Sequence, residues 1–130
     1  AGVHKPDYMQ GTSLLPLLGG KVPQNWRQSI YYHYFEYPGW HAVKRHYGIR
    51  TQRYKLIHFY YDIDEWELYD LQKDPHEMKN VYNDPAYHKI RQELLVQLRA
   101  LQKKYGDSDS LAHKFLEHDK PMMKRFKNVF

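Results

Sequence analysis

The fold is decided by the stretch Tyr47-Gly48-Ile49-Arg50-Thr51-Gln52-Arg53-Tyr54-Lys55-Leu56-Ile57. Aromatic and β-branched residues, which favour strands, lie on both sides of Gln52 and Arg53, and a two-residue connection is short enough for a tight hairpin. The sequence therefore predicts two antiparallel strands, over residues 43–51 and 54–61. Gly48 lies inside the first strand, where a glycine indicates a bulge or the close approach of another group.

Two further strands are predicted on either side of this hairpin. Residues 29–37 are dense in aromatic and β-branched residues and are followed by Pro38-Gly39, which ends the strand. Residues 65–71 follow an acidic turn at residues 62–64. Because all the connections are short, the four strands are expected to form an antiparallel meander rather than a parallel sheet.

A long amphipathic helix is predicted after the strands. Asp84 followed by Pro85 is a helix-start signal, and Gly106 is a helix-end signal. Between them, apolar residues recur at three- and four-residue steps and form one stripe: Tyr87, Ile90, Leu94, Leu98, Leu101 and Tyr105. The predicted fold class is α+β, with two layers: a four-stranded antiparallel sheet packed by one long C-terminal helix.

The two ends of the sequence differ from this central unit, which spans residues 28–106. Residues 1–27 are rich in proline and glycine and form a linker. It contains one short helical turn with Ser13 as the predicted N-cap, and the leucines of this turn need another surface to pack on. Residues 107–130 form a basic tail. The lysines and arginine around its apolar residues fit either a short amphipathic helix or a loose arm.

Composition limits the classes of function. The length of 130 residues suits one domain, and the net charge of +5 favours anionic partners without choosing among nucleic acid, acidic membrane and sulfated or phosphorylated sugars. No apolar run reaches the roughly 18 residues of a membrane span, so no membrane partner is expected. The absence of cysteine excludes disulfides and thiolate metal sites.

The densest polar cluster surrounds residues 38–40. Its members are His33, Glu36, His41, Lys44, Arg45 and His46. Three interpretations are open. A metal site is disfavoured because the spacing matches no metal-binding motif. The histidines could instead pair with tyrosines and backbone within a sheet. Alternatively, the cations, the histidines and an aromatic ring from Tyr37 or Trp40 could recognise an anion or a sugar.

Other chemistries have weaker signals. The four serines lie in no nucleophile motif, and the acidic residues at 62–65 are typical of a hairpin turn. A nucleic-acid-binding module is the main alternative function, because basic and aromatic residues interleave over residues 45–61. However, the acidic residues between 62 and 70 would repel a strand laid across that end of the sheet, so a nucleic-acid partner is not expected.

Three segments, in order, resemble the C-terminal region of the formylglycine-dependent sulfatases. Residues 6–18 resemble a linker with the pattern Gln-Gly-x-Ser-Leu-Leu-Pro-Leu-Leu. Residues 47–57 resemble an R-T-x-R-Y-K strand pair, and residues 66–80 resemble the passage E-L-Y-D-L-x-x-D-P-x-E-x-x-N. The resemblance covers residues 1 to 106.

The resemblance implies a parent enzyme that hydrolyses sulfate esters, often on sulfated sugars, in a secreted or periplasmic location. Such a parent is expected to use calcium and a formylglycine made within a Cys/Ser-x-Pro-x-Arg motif. This sequence contains neither that motif nor the family's acidic metal ligands, so no catalytic residue, metal site or cofactor is expected in it. Its expected partners are the N-terminal catalytic domain, which this sequence lacks, and a sulfated sugar in the full-length enzyme.

The resemblance also implies candidate substrate contacts. In such enzymes the hairpin corresponding to residues 38–39 lies near the mouth of the cleft and contributes to the sugar subsite. On that basis, the predicted substrate-binding residues are His41, Arg45 and His46.

Overall fold

The computed structural model describes residues 3–37, 41 and 43–126, without the side chains at 119 and 121–126. Four strands form one antiparallel sheet in sequential order: β1 (Ser29–Tyr34), β2 (His46–Thr51), β3 (Tyr54–Phe59) and β4 (Glu65–Asp70). The predicted meander is confirmed, with strands that end up to three residues inside the predicted bounds. The predicted turn at Pro38-Gly39 lies outside the described residues.

The β2–β3 turn is held by a side chain. The Thr51 hydroxyl oxygen accepts hydrogen bonds from the backbone amides of Tyr54 at 2.8 Å and Arg53 at 3.3 Å. The Arg53 guanidinium then donates two bonds, at 3.0 and 2.8 Å, to the carboxylate of Asp70, whose side chain is 2% exposed. These bonds hold the pKa of Asp70 below its usual range. The hairpin that decides the fold is therefore also tied to the edge strand β4.

Gly48 is a point of close approach. A Cβ atom at this position would lie 2.5 Å from the carbonyl oxygen of Leu56 and 2.5 Å from the Tyr32 hydroxyl oxygen. Pairing with β1 and β3 is continuous through Gly48, so the glycine marks contact with a neighbouring ring and not a bulge.

The helices pack on one side of the sheet. A 3-10 turn (Pro85–Tyr87), begun by Asp84, leads into α2 (His88–Lys104), which ends before Gly106 at a φ of 69°. Leu94 and Leu98 are buried, while Ile90 and Leu101 are partly buried against the same core, which confirms the predicted stripe.

Both ends of the chain are partly helical. In the linker, α1 is a single turn, Leu15–Leu18, that buries none of its residues. Leu14 occupies its N-cap position in place of the predicted Ser13, whose hydroxyl accepts a bond from the amide of Leu15 at 3.3 Å. The tail adopts the helical alternative as α3, Asp109–Phe126. None of the described helices has the length and apolarity needed to cross a membrane.

The two faces of the sheet carry different neighbours. Side chains alternate between faces along each strand, and one alternate set packs with α2 and α3 into a single core: Tyr47, Ile49, Leu56, Leu68, Leu94, Leu98, Ala112 and Leu116. We call this side the helix face. The opposite side, the open face, is formed by Ile30, Tyr32, Tyr34, His46, Ile57 and Phe59.

Candidate functional site

The polar cluster predicted around residues 38–40 is divided by the sheet. His33 lies on the helix face, while His46 lies on the open face opposite Tyr34 and Phe59 in the strand register. Arg45 is buried, and His41 is exposed. The two-residue period of a strand explains the division of the histidines, because His33 is paired with Tyr47, the residue after His46, and successive residues of a strand point to opposite sides.

Arg45 forms an internal ion pair. Its side chain is 2% exposed, and one guanidinium nitrogen, Nη1, donates to both carboxylate oxygens of Asp62, at 3.0 and 2.8 Å. Its Nε donates to the carbonyl oxygen of Phe35 at 3.1 Å. The guanidinium also lies 5.5 Å from the ring centroid of Tyr61. Arg45 thus joins three segments of the chain: the end of β1, the start of β2 and the β3–β4 turn.

His46 lies within a row of aromatic rings. Its ring is stacked on Tyr34, with centroids 5.4 Å apart, and tilted against Phe59 at 5.1 Å. Its Nδ1 lies 2.8 Å from the carbonyl oxygen of Lys44 and therefore carries the hydrogen. In the neutral ring, Nε2 is then a hydrogen-bond acceptor, which suits a sugar hydroxyl.

The third predicted contact, His41, is exposed, and its neighbours at 38–40 and 42 are outside the described residues. Nearby, the Lys44 ammonium lies 2.5 Å from the Tyr37 hydroxyl and 4.0 Å from the centre of that ring. The substrate-contact roles of His41, Arg45 and His46 stay predictions.

A buried polar network that the sequence did not predict occupies the helix face. His33 Nδ1 lies 2.6 Å from Asp107 Oδ2, and His33 Nε2 lies 2.6 Å from the Tyr60 hydroxyl. The Tyr31 hydroxyl donates to the same Asp107 oxygen, and the Ser108 amide donates to the other at 2.7 Å. Asp107 thus joins the α2–α3 connection to β1.

The pKa values explain the protonation of this network. Burial lowers the pKa of His33, and the opposing effect of Asp107 is smaller. Burial acts to raise the pKa of Asp107, but bonds from Tyr31 and His33 outweigh it and lower that pKa. At neutral pH a neutral His33 therefore donates from Nδ1 to a charged Asp107 and accepts from Tyr60 at Nε2. Burial raises the pKa of Tyr60 as well, which keeps its hydroxyl a donor.

A cleft of about 460 Å³ lies between the β3–β4 turn and α3. Its acidic residues have internal partners: Asp62 pairs with Arg45, and Asp64 Oδ1 lies 2.7 Å from His58 Nε2. Within the described ranges, no group of three or more His, Cys, Asp or Glu side chains could hold a metal ion. The calcium of the sulfatases therefore finds no fitting ligand set among those residues.

The segment that suggested nucleic-acid binding is also divided between the faces. Tyr60 is buried on the helix face with His33, whereas Phe59 lies on the open face with His46. Lys55 is paired with Glu77 at 2.5 Å. Its basic and aromatic side chains therefore form no single strip along which a nucleic-acid strand could lie.

The four-stranded antiparallel sheet, the long helix packed on it and the leucine-rich linker are the features expected from the resemblance to the C-terminal region of the sulfatases. Residues 1–104 match the family described as N-sulphoglucosamine sulphohydrolase, C-terminal. The chain belongs to this family.

Individual relatives agree with the family. The chain is 56% identical over 111 residues to an N-acetylglucosamine-6-O-sulfatase of Bacteroides thetaiotaomicron, covering 84% of this chain and 20% of that protein. It is 37% identical over 98 residues to a Delta 4,5-hexuronate-2-O-sulfatase of the same organism, covering 69% of this chain and 18% of that one. The chain thus spans about a fifth of the length of these relatives.

A solved structure shares the fold closely. It is the structure of a protein in complex with its substrate, D-glucosamine-2-N,6-O-disulfate, with a TM-score of 0.79 and 55% identity. The similarity covers 83% of this chain and 22% of the other.

Proposed function

We propose that this chain is the C-terminal module of a sulfatase that removes sulfate esters from a sulfated glucosamine. The observation that carries the proposal is the 56% identity to an N-acetylglucosamine-6-O-sulfatase, well above the 37% identity to the hexuronate sulfatase. The 55% identity to a protein whose substrate is a glucosamine disulfate points to the same sugar.

The module supports the enzyme without performing the chemistry. Sulfatases use calcium and formylglycine in the catalytic domain, and this sequence has no cysteine and no Ser-x-Pro-x-Arg from which formylglycine could be made. Binding surface alone cannot supply a covalent step, so the isolated chain is expected to give no turnover. The residues of the parent that hold calcium and formylglycine belong to the portion that precedes this module in the relatives.

The three predicted contact residues would have separate roles at the substrate cleft. His41 is exposed and can reach a sulfated sugar directly, and His46 offers an Nε2 acceptor to a sugar hydroxyl. Arg45, whose charge is paired with Asp62, positions the segment between β1 and β2 that carries His41. We assign residues 1–27 to the linker, 28–106 to the module and 107–130 to a basic extension that now includes α3.

A chimera tests this proposal. The chain would replace the matching fifth of the Bacteroides N-acetylglucosamine-6-O-sulfatase, and desulfation of D-glucosamine-2-N,6-O-disulfate would be measured. The chimera should be active, while the isolated chain should read at background on a generic aryl sulfate with or without calcium. A folded chimera without activity on this sugar would contradict the proposal, as would calcium-dependent hydrolysis by the isolated chain.

The contact at His41 is tested in the same chimera. His41→Ala should raise KM about tenfold, because a hydrogen bond to a charged sulfate is lost, and leave kcat nearly unchanged. His88→Ala is the matched control, since His88 is also exposed but lies at the start of α2. Equal kinetics for the two variants would remove His41 from the substrate site.

A further inference from the structure

The connection between α2 and α3 is short and is anchored at one residue. It spans residues 105–108, and Gly106 turns the chain there with a φ of 69°. Directly after this turn, one carboxylate oxygen of Asp107 accepts hydrogen bonds from two side chains of β1, Tyr31 and His33. Asp107 therefore fixes where α3 begins relative to the sheet.

The other contacts that hold α3 on the sheet are modest. Ala112 and Leu116 are its buried apolar side chains among those that the structure describes. Asp109 pairs with Arg99 of α2 at 3.0 Å, but both side chains are about half exposed, and ion pairs in such positions contribute little. An element with few buried contacts opens more easily than the core, so the bonds to Asp107 weigh heavily in whether α3 stays docked.

His33 is the group at this anchor that can change its charge near neutral pH. Its side chain is 6% exposed, and its ring nitrogens lie 2.6 Å from Asp107 and 2.6 Å from the Tyr60 hydroxyl. A neutral ring, with one donor and one acceptor, satisfies both partners. Protonation makes Nε2 a donor as well, so the Tyr60 hydroxyl has to turn its own hydrogen away from the ring. Burial of the added charge lowers the pKa of His33 and outweighs the opposing effect of Asp107.

Charged and titratable groups face His33 from every neighbouring element. They are Tyr31 on β1, His46 and Tyr47 on β2, Tyr60 after β3, Asp107 in the connection and Asp109 on α3. The two aspartates favour a charged ring, although one of them is already paired with Arg99. His46 opposes a second positive charge. Burial raises the pKa values of the three tyrosines, which stay neutral and supply no negative charge.

We propose that His33 is an acid-sensitive switch for α3: protonation of its ring opens the contact with Asp107 and favours release of α3 from the sheet. The released helix turns about Gly106 and uncovers Tyr60 together with the cleft of about 460 Å³, one wall of which α3 provides. The family match ends at residue 104, before this helix, so the switch acts on a segment beyond the matched module. The proposal is independent of the sulfatase activity proposed above.

Hydrogen exchange of the α3 amides at pH 7.5 and 5.5, corrected for the intrinsic effect of pH on exchange, tests the switch. A single histidine whose pKa is about 6.5 when released can increase the opening of α3 by at most about tenfold over this range, and we expect a several-fold increase within that limit. His33→Gln keeps a donor and an acceptor without a titrating charge, so it should show no such increase. His88→Gln is the matched control, because His88 is exposed at the start of α2, and it should keep the increase.

Each outcome decides for or against the switch. An increase that is lost only in His33→Gln supports it, whereas an increase that persists in this variant, or none in the unsubstituted chain, overturns it. The α2 amides around Leu98 separate release of α3 from unfolding of the whole chain: at pH 5.5 they should exchange more slowly than those of α3, and equal protection overturns the proposal. If His33→Gln does not fold, titration of the unsubstituted chain by NMR decides. A His33 pKa below about 6.5 that the α3 resonances share supports the switch, and any other result overturns it.

Discussion

The two faces of the sheet are built from the same residue types, but they differ in whether their polar side chains have hydrogen-bond partners. On the helix face, His33, Tyr31 and Tyr60 find polar partners through Asp107, and His58 bonds to the Tyr47 hydroxyl at 2.8 Å. The open face also presents tyrosines and a histidine, yet two of its tyrosine hydroxyls have no partner in the described residues. The difference shows that α2, α3 and their connection supply polar partners to the helix face, whereas the open face buries two hydroxyls that have no partner among the described residues.

The largest effect is expected from truncation in the helix-face core. Leu98 of α2 is 0% exposed in the core between this helix and the sheet. Leu98→Ala should therefore lower the free energy of unfolding by about 2–5 kcal/mol. Chemical denaturation of the isolated chain measures this change. Val96→Ala, at a 70% exposed position of the same helix, should change it by less than about 0.5 kcal/mol. Equal losses would mean that α2 does not pack as described.

A substitution at Gly48 tests the contact between β2 and the ring of Tyr32. An alanine Cβ would lie 2.5 Å from the Leu56 carbonyl oxygen and 2.7 Å from the Tyr32 ring, so Gly48→Ala should lower the free energy of unfolding by about 1–3 kcal/mol. At Gly19 the nearest atom to an added Cβ is 3.5 Å away, and Gly19→Ala should be nearly neutral. If Gly48→Ala also leaves the free energy of unfolding unchanged, the Tyr32 ring does not lie against Gly48 of β2.

Removal of Asp107 tests whether the polar network closes the helix face. Asp107→Ala leaves Tyr31 and His33 without their buried acceptor and should lower the free energy of unfolding by about 1–3 kcal/mol. Asp107→Asn keeps an acceptor oxygen and should lower it less. Hydrogen exchange of α3 amides should increase in the alanine variant, because the connection that leads into this helix is released. Unchanged exchange would show that α3 is held by its apolar contacts alone.

The same network predicts a pH dependence. The pKa of His33 is lowered on folding, so the unfolded chain binds the proton more tightly and stability falls as the pH drops through about 6.5. The lowered pKa of Asp107 acts in the same direction at more acidic pH. Melting temperatures between pH 5 and 8 should therefore show a smaller acid-side decrease in His33→Gln than in the exposed control His88→Gln. Identical profiles would assign the decrease to other histidines.

The smallest effect is expected on the open face. Ile30→Asp in the isolated chain should lower the free energy of unfolding by only about 1 kcal/mol, mainly through lost strand propensity, because the side chain is 53% exposed and no helix covers it. Chemical denaturation alongside Leu98→Ala measures the contrast between the faces directly. A loss of several kcal/mol would show that the open face is part of the chain's own core.

The sequence by itself determined the meander, the helix and the family. Strand composition, the two-residue turn at Gln52-Arg53, the Asp84-Pro85 start signal and the leucine stripe are local patterns, and each is fixed by steric and hydrophobic preferences within a few residues. The three sulfatase-like segments are also continuous in sequence. These features could be predicted because none of them depends on which distant residue lies nearby.

Only the tertiary structure decided which polar residues meet. His33 and Asp107 are 74 residues apart, and Arg45 and Asp62 are 17 apart, with no local pattern to pair them. The predicted cluster around residues 38–40 looked like one site because its members are close in sequence, but strand alternation sent His33 and His46 to opposite faces. The tertiary structure also decided that the tail is helical, because α3 buries Ala112 and Leu116 in a core that other segments create.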